Sequence, residues 1–259
     1  MPEADLGDVR IHYRVDGPAD APVVMLSNSL GTALDMWDPQ IPALASHFRV
    51  LRYDARGHGA SSVPAGPYTL DQMAGDALAL LDHLGLERVR FCGLSMGGMV
   101  GMWLGSNAAA RVERLALCNT SAFMPPAEAW NARIARVNEA GMQAVADAVL
   151  SRWFSPGFIA SGTPAVKAAR AMLLACDAGG YAAACAAVRD MDQRDLLSRI
   201  RAPTLVVAGT HDVSTPPREV RGVAERIAGA RYVELDAGHI SNLERPDAFS
   251  RALVDFMIG

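Results

Sequence analysis

The stretch "VRFCGLSMGGMVGMW", residues 89–103, restricts the fold more than any other part of the chain. An apolar, β-rich run enters Gly93-Leu94-Ser95-Met96-Gly97, and a helical pattern begins at once on the far side. Glycines two residues before and two after Ser95 clear a bend in which side chains would collide, and Gly98 extends that clearance into the helix. A G-x-S-x-G turn between a strand and a helix forces its serine into a strained, exposed position. The pentapeptide alone matches loops by chance; a strand before it and a helix after it make it informative.

The flanking sequence has the matching rhythm. Short apolar runs rich in β-branched residues cover 9–15, 23–28, 48–54, 89–93 and 115–119, with a further pair at 204–209 and 231–235. Helical patterns fill 70–84 and 97–106, and "ERPDAFSRALVDFMIG" closes the chain as an amphipathic helix. Strands alternating with helices predict an α/β fold with a mostly parallel central sheet covered by helices on both faces. From 122 to 198 the strands vanish, and four or five alanine-rich helical stretches follow, each bounded by Pro or Gly. The expected organisation is a core of residues 1–121 and 199–259, interrupted by an all-helical lid at 122–198.

Charge and cysteine usage narrow the partners. The net charge is −4 and Lys and Arg are scattered, so no footprint for nucleic acid is present and a small molecule is the expected partner. The opening "MPEADLGDVR" lacks the basic and apolar regions of a signal peptide, and no apolar run approaches the roughly 20 residues that span a bilayer. A cytoplasmic protein that does not enter membranes is expected, with self-association left open. Cys92, Cys118, Cys176 and Cys185 lack C-x-x-C spacing and are expected as reduced, buried thiols. The histidines and cysteines lack metal-ligand spacing, and "GLSMGG" lacks the G-x-G-x-x-G order, so neither metal nor cofactor is expected.

A serine hydroxyl is a weak nucleophile at neutral pH, so Ser95 needs a histidine base and a carboxylate to orient it. The run "APTLVVAG" delivers Asp212 just past its end, and "RYVELDAGHISNLERP" delivers His239 in the same way. Other candidates fit less well. His12 lies within a strand, where a surface or strand-pairing role is expected; His47 and His83 are far from any strand's C-terminal edge. His58 follows a strand but sits in a glycine-rich turn expected to shape the rim of the site. His211 adjoins Asp212, and neighbours on a loop usually point apart; Asp236 lies three residues from His239 along one loop. Met96, Met99 and Met102 recur at helical spacing and are expected to fill the core rather than meet a ligand.

Together "GLSMGG", "YDARGHGAS", "LVVAGTHD" and "GHISNLERPDAF" resemble the α/β-hydrolase family over nearly the whole chain, and the order Ser95, Asp212, His239 is that family's. The resemblance implies that the helical insertion is a cap domain. In related hydrolases the strand before the first major helix ends in His-Gly, and the next residue donates an N–H to the oxyanion. Here Asn28-Ser29 stands in that place, which implies Leu30 as one donor and Met96, after the nucleophile, as the other. Within the family, "SNSLGTALDMWDPQ" and "GGYAAACAAVRDMDQRD" are similar to 3-oxoadipate enol-lactonases of aromatic-compound breakdown, implying an anionic lactone substrate. The alternatives are a general carboxylesterase, a C–C hydrolase or a cofactor-free perhydrolase, or a ligand receptor with slow turnover. The core offers no cation aimed at the site, whereas the insertion offers Trp130 and Arg133 at i and i+3 on one helix face, with Trp153 as a further pocket candidate. The plainer reading is a solvated Arg133 and a Trp130 that packs the cap.

Overall fold

The computed structural model describes residues 2–259. Eight strands form one sheet in the order β1-β2-β4-β3-β5-β6-β7-β8, where β1 is Glu3–Asp5, β2 Arg10–Asp16, β3 Val23–Ser27, β4 Arg49–Tyr53, β5 Val89–Leu94, β6 Val112–Cys118, β7 Thr204–Gly209 and β8 Arg231–Leu235. The pairs β1–β2 and β2–β4 are antiparallel and all others are parallel. The interior strands are buried on both faces, which is why they read as continuous apolar runs. β1 carries no such signal: "EAD" is a three-residue edge strand held only by β2. β6 begins three residues before the expected apolar run, because a register shift between Val89 and Arg90 lets Val112 pair with β5.

Three helices precede the insertion, α1 (Ile41–Leu44), α2 (Leu70–His83) and α3 (Met96–Asn107). Thr69 starts α2 with a capping box: its side chain accepts from Gln72 N–H, and the Gln72 side chain accepts from Thr69 N–H. Five helices lie between β6 and β7: α4 (Ala127–Ala140), α5 (Ala146–Trp153), α6 (Pro156–Ala160), α7 (Pro164–Ala175) and α8 (Ala178–Asp190). The chain closes with α9 (Pro217–Glu225), α10 (Ser241–Glu244) and α11 (Pro246–Ile258).

Gly179 and Gly180, in place of bounding a helical stretch, lie inside the first turn of α8. Asp177 caps the helix by accepting from Gly180 N–H, and a Cβ on Gly180 would sit 2.2 Å from the Gly57 carbonyl oxygen, so the helix approaches that loop too closely for a side chain. The two ends of the insertion meet: Phe123 bridges Asp192, and Gln193 N–H donates to the Ala122 carbonyl. Among the described residues no single helix is long and apolar enough to cross a membrane. The four cysteines are free and buried; burial raises Cys92 well above the usual thiol range and pushes Cys176 and Cys185 up to about 12.

Close approach of backbones also explains the glycines around the tight turn. A Cβ on Gly93 would lie 2.0 Å from the Gly97 carbonyl oxygen, and one on Gly97 would lie 2.1 Å from that of Ser27. Neither neighbour is a flexible side chain, so α3 would have to move away from β3. Gly97→Ala is therefore expected to cost about 3 kcal/mol, the upper range for overpacking, and to lower Tm by at least about 6 °C in a chain of this size. Thermal unfolding checks it, and a variant that melts with the parent would remove this contact as the reason for the glycine.

Candidate active site

Between the end of β5 and the start of α3 stands Ser95, whose φ of 56° and ψ of −114° lie outside the regions ordinary residues prefer. Holding it there costs on the order of 1–3 kcal/mol, which the turn's own hydrogen bonds offset. Ser95 N–H donates to the Cys118 carbonyl at 2.8 Å, and Thr120 Oγ1 donates to the Ser95 carbonyl at 2.8 Å. Asp212 follows β7 and His239 follows β8, and because β5, β6, β7 and β8 run parallel both loops open at the same end of the sheet as Ser95. His239 Nε2 lies 2.9 Å from Ser95 Oγ, and His239 Nδ1 lies 2.8 Å from Asp212 Oδ2. All three side chains are buried, and the three residues picked out in the sequence are brought into one hydrogen-bonded line.

The Asp212 carboxylate is held by donors on both oxygens. Oδ1 accepts from the N–H groups of Ser214 and Thr215 at 2.8 and 2.9 Å; Oδ2 accepts from Thr215 Oγ1 at 2.7 Å and Asn119 Nδ2 at 3.0 Å besides His239. Burial by itself would raise this carboxyl, but the His239 charge and the hydrogen bonds from His239, Thr215 and Asn119 outweigh it and hold the pKa below the usual carboxylate range. An ionised Asp212 facing His239 Nδ1 leaves Nε2 free to accept the serine proton.

The break after β3 is built by Asn28. Its Oδ1 accepts from Trp37 Nε1 at 2.9 Å, its Nδ2 donates to the Tyr53 carbonyl at 2.8 Å, and its own carbonyl accepts from Gly97 N–H at 2.9 Å. That last bond ties the loop bearing Leu30 to the first turn of α3, which bears Met96. Gly31, at φ 79°, lets the loop curl where Leu173 and Tyr181 leave no room for a Cβ. Among the described residues neither the Leu30 nor the Met96 N–H meets a hydrogen-bond acceptor, and both residues line the same cavity as Ser95. Two unsatisfied backbone donors beside the Ser95 hydroxyl are suited to a developing oxyanion.

That cavity lies between the strand-end loops and the insertion. Trp130, Arg133 and Trp153 all line it, and the Arg133 guanidinium stacks over the Trp130 ring at 4.7 Å, as the i, i+3 spacing predicts. Trp130 also donates from Nε1 to the Met124 carbonyl, so it is fixed on two sides. Arg152, which sequence reasoning passed over, lines the cavity too. The surrounding protein, then the charge of Arg133, lowers its pKa, and attraction to Asp212 acts the other way. Neither arginine forms an ion pair with a carboxylate among the described residues. Arg152 lay one position before Trp153 in "SRWF"; it stays exposed like other helix arginines, and only the placing of α5 over the site sets it along the cavity wall.

Several expectations need correction. His12 has the strand-pairing role of the two expected, opposite Glu3 of β1, but it is buried rather than on the surface, with Nδ1 2.7 Å from Asp54 Oδ2 where the "YDARGHGAS" turn leaves β4. His58 does not line the cavity; it is buried behind the loop against the Arg56 carbonyl, and burial lowers its pKa. Met96, Met99 and Met102 all pack in the core as expected, but Met96 and Met99 line the cavity as well, since the first turn of α3 forms its floor. His211 turns away from the site to pair with Asp236 at 2.8 Å, which removes both competitors at once. Glu244 was also unforeseen. It accepts from Gly238 N–H in the His239 loop and from the N–H and hydroxyl of Ser155, joining that loop to the insertion.

Residues 22–156 match the family model described as the alpha/beta hydrolase fold. The chain belongs to the α/β-hydrolase family. Among curated α/β-hydrolases it is similar to 3-oxoadipate enol-lactonase 2 of Acinetobacter baylyi, with 42% identity over 246 residues, 95% of this chain and 92% of that protein. It also resembles that organism's 3-oxoadipate enol-lactonase 1, at 37% identity over 95% of this chain and 92% of that one. Among solved structures, the enol-lactonase from Burkholderia xenovorans superposes with a TM-score of 0.98 at 48% identity, covering 100% of both chains. A malate-bound esterase from Thermogutta terrifontis superposes at 0.91 with 31% identity, covering 97% of this chain and 94% of that one. An α/β-hydrolase fold and hydrolase chemistry are thus shared across these relatives.

Proposed function

We propose that this α/β-hydrolase opens 3-oxoadipate enol-lactone to 3-oxoadipate in the breakdown of aromatic compounds, with residues 122–198 acting as its cap. The observation that carries this reading is one cavity with a Ser95–His239–Asp212 line at its base and two arginines without carboxylate partners, Arg133 and Arg152, in its wall. A neutral ester needs no such cations. A lactone bearing a free carboxylate does, and the names of the relatives agree.

Ser95 Oγ attacks the lactone carbonyl as its proton passes to His239 Nε2, and the N–H groups of Leu30 and Met96 hold the oxygen as it gains charge. Collapse of the tetrahedral species breaks the ring C–O bond. The departing oxygen is an enol, more acidic than an alkyl alcohol, and takes the proton back from His239. Water, deprotonated by His239, then attacks the acyl-enzyme and frees Ser95; the released enol tautomerises to the ketone. Arg133 and Arg152 hold the second carboxylate, and Trp130 and Trp153 wall the ring.

The test compares turnover of the enol-lactone, generated in situ from muconolactone by an isomerase, with that of p-nitrophenyl acetate. A far higher kcat/KM on the lactone is expected. Replacing both arginines by alanine is expected to raise KM for the lactone about 10- to 100-fold, the worth of one charge-assisted contact or two weaker ones, and to leave the acetate ester nearly unaffected. An unchanged KM would remove the arginines from the binding site, and feeble lactone turnover would reject the substrate.

A further inference from the structure

Cys118, the last residue of β6, and the two residues that follow it touch every loop of the catalytic line. Cys118 and Thr120 take up both backbone polar groups of Ser95, through the carbonyl of the first and the hydroxyl of the second. Asn119, between them, is fully buried and sits in the left-handed region at φ 46°, a conformation asparagine tolerates better than most residues. Its side chain reaches the other two loops. Nδ2 donates to Asp212 Oδ2 at 3.0 Å and to the Gly238 carbonyl at 3.3 Å, and Oδ1 accepts from Ser241 Oγ at 2.6 Å. Gly238 precedes His239 and Ser241 follows it by two residues, so one amide grips the acid and both flanks of the base's loop. Its backbone N–H is anchored separately, on the Val207 carbonyl of β7 at 2.7 Å.

Asp212 Oδ2 has three competing donors, His239 Nδ1, Thr215 Oγ1 and Asn119 Nδ2. Thr215 Oγ1 also lies 3.3 Å from His239 Nδ1. Without the asparagine donor, the carboxylate oxygen is free to settle on the threonine hydroxyl and to turn away from the imidazole. A hydrophobic isostere at 119 would leave Ser241 and Gly238 unpaired, and a carboxylate there would face a second carboxylate. Only an amide supplies a donor to Asp212 and an acceptor to Ser241 in one side chain of this length.

We propose that Asn119 is a positioning residue for catalysis, its amide holding the Asp212 carboxylate in line with His239 while Cys118 and Thr120 hold the Ser95 turn to the same strand end. This rests on the reading of Ser95, His239 and Asp212 as the catalytic line, and the experiment keeps the two apart. Inactivation by a fluorophosphonate reports Ser95 reactivity without any assumption about the natural substrate. The parent, Ser95→Ala, Asn119→Ala and Asn119→Asp are compared in labelling rate across pH, with p-nitrophenyl acetate turnover and thermal unfolding alongside.

Asn119→Asp keeps the shape of the side chain, so it separates positioning from packing even where Asn119→Ala does not fold. The charged groups facing Asp212 are His239 and, from α5, Arg152; an added carboxylate at 119 favours protonated forms of the cluster. In Asn119→Asp, labelling is expected to fall about 100-fold, with the acid limb of the rate profile moved at least one pH unit higher, kcat for the ester reduced in parallel and KM within twofold. Asn119→Ala is expected to lose about tenfold or more in the same two rates. Labelling rates within twofold of the parent and an unmoved acid limb, in folded Asn119→Asp, would overturn the positioning role while silent Ser95→Ala upheld the catalytic line. Labelling of Ser95→Ala at the parent's rate would overturn both.

Discussion

Ser95→Ala is expected to lower kcat by about 10⁴- to 10⁶-fold, with labelling by a fluorophosphonate abolished and Tm nearly unchanged. The magnitude follows from the geometry. Among the described residues Ser95 Oγ is the one hydroxyl hydrogen-bonded to His239 Nε2, so its loss removes the covalent path and leaves the Leu30 and Met96 donors to polarise the carbonyl. Alanine also fits the site sterically, because the serine side chain makes no hydrogen bond other than that to His239. Retention of most turnover would instead mean that His239 activates water for direct attack and that no acyl-enzyme forms. Single-turnover trapping of the acyl-enzyme in the parent is the matching positive observation.

Asp212→Asn is expected to reduce kcat by about 10³- to 10⁴-fold, as the loss of the orienting carboxylate does in serine-protease triads. An amide has one acceptor oxygen, whereas five donors converge on the two oxygens of Asp212. Wherever its NH₂ points, it faces N–H or O–H groups that must turn away or go unpaired, at about 1–3 kcal/mol for each buried group left unsatisfied. The stability effect has a definite pH dependence. The folded-state pKa of Asp212 lies below its unfolded value, near 3.9, so its ionised form stabilises the fold above that pH and the contribution is lost as pH falls through the folded pKa. The gap in stability between parent and variant should thus be widest above about pH 5 and narrow below pH 4. A gap that stays constant from pH 7 to pH 3 would mean that the folded site does not favour the carboxylate.

Much of this site was legible because its parts are local. The Gly93-x-Ser95-x-Gly97 turn needs small residues at fixed offsets, and each strand announces its C-terminal end, so the loops bearing Asp212 and His239 could be found without knowing where they lie in space. The i, i+3 pairing of Trp130 with Arg133 is likewise a helix property. Arg152 and Asn119 had no such mark. Arg152 looks like any exposed helix arginine until α5 is laid over the cavity, and Asn119 looks like the polar end of a strand. Its three partners lie between 93 and 122 residues away, too far for any spacing rule to find.

The histidines mark the same boundary. His239 could be chosen over His12, His47 and His83 by its place after a strand, over His58 by the glycine-rich turn that holds it and over His211 by its adjacency to Asp212, but the pairing of His12 with Asp54 and of His211 with Asp236 required the packed loops. By itself the sequence determined the α/β architecture, the tight glycine-flanked turn at Ser95 and the strand ends that carry Asp212 and His239, because these depend on hydrophobic periodicity and on steric limits within a few residues. Only the tertiary structure decided which cations face the cavity, which donors hold Asp212 and which methionines form the floor. Those depend on distances between elements remote in the chain, and they arise only once burial of the apolar faces has fixed how the loops and the helical insertion meet.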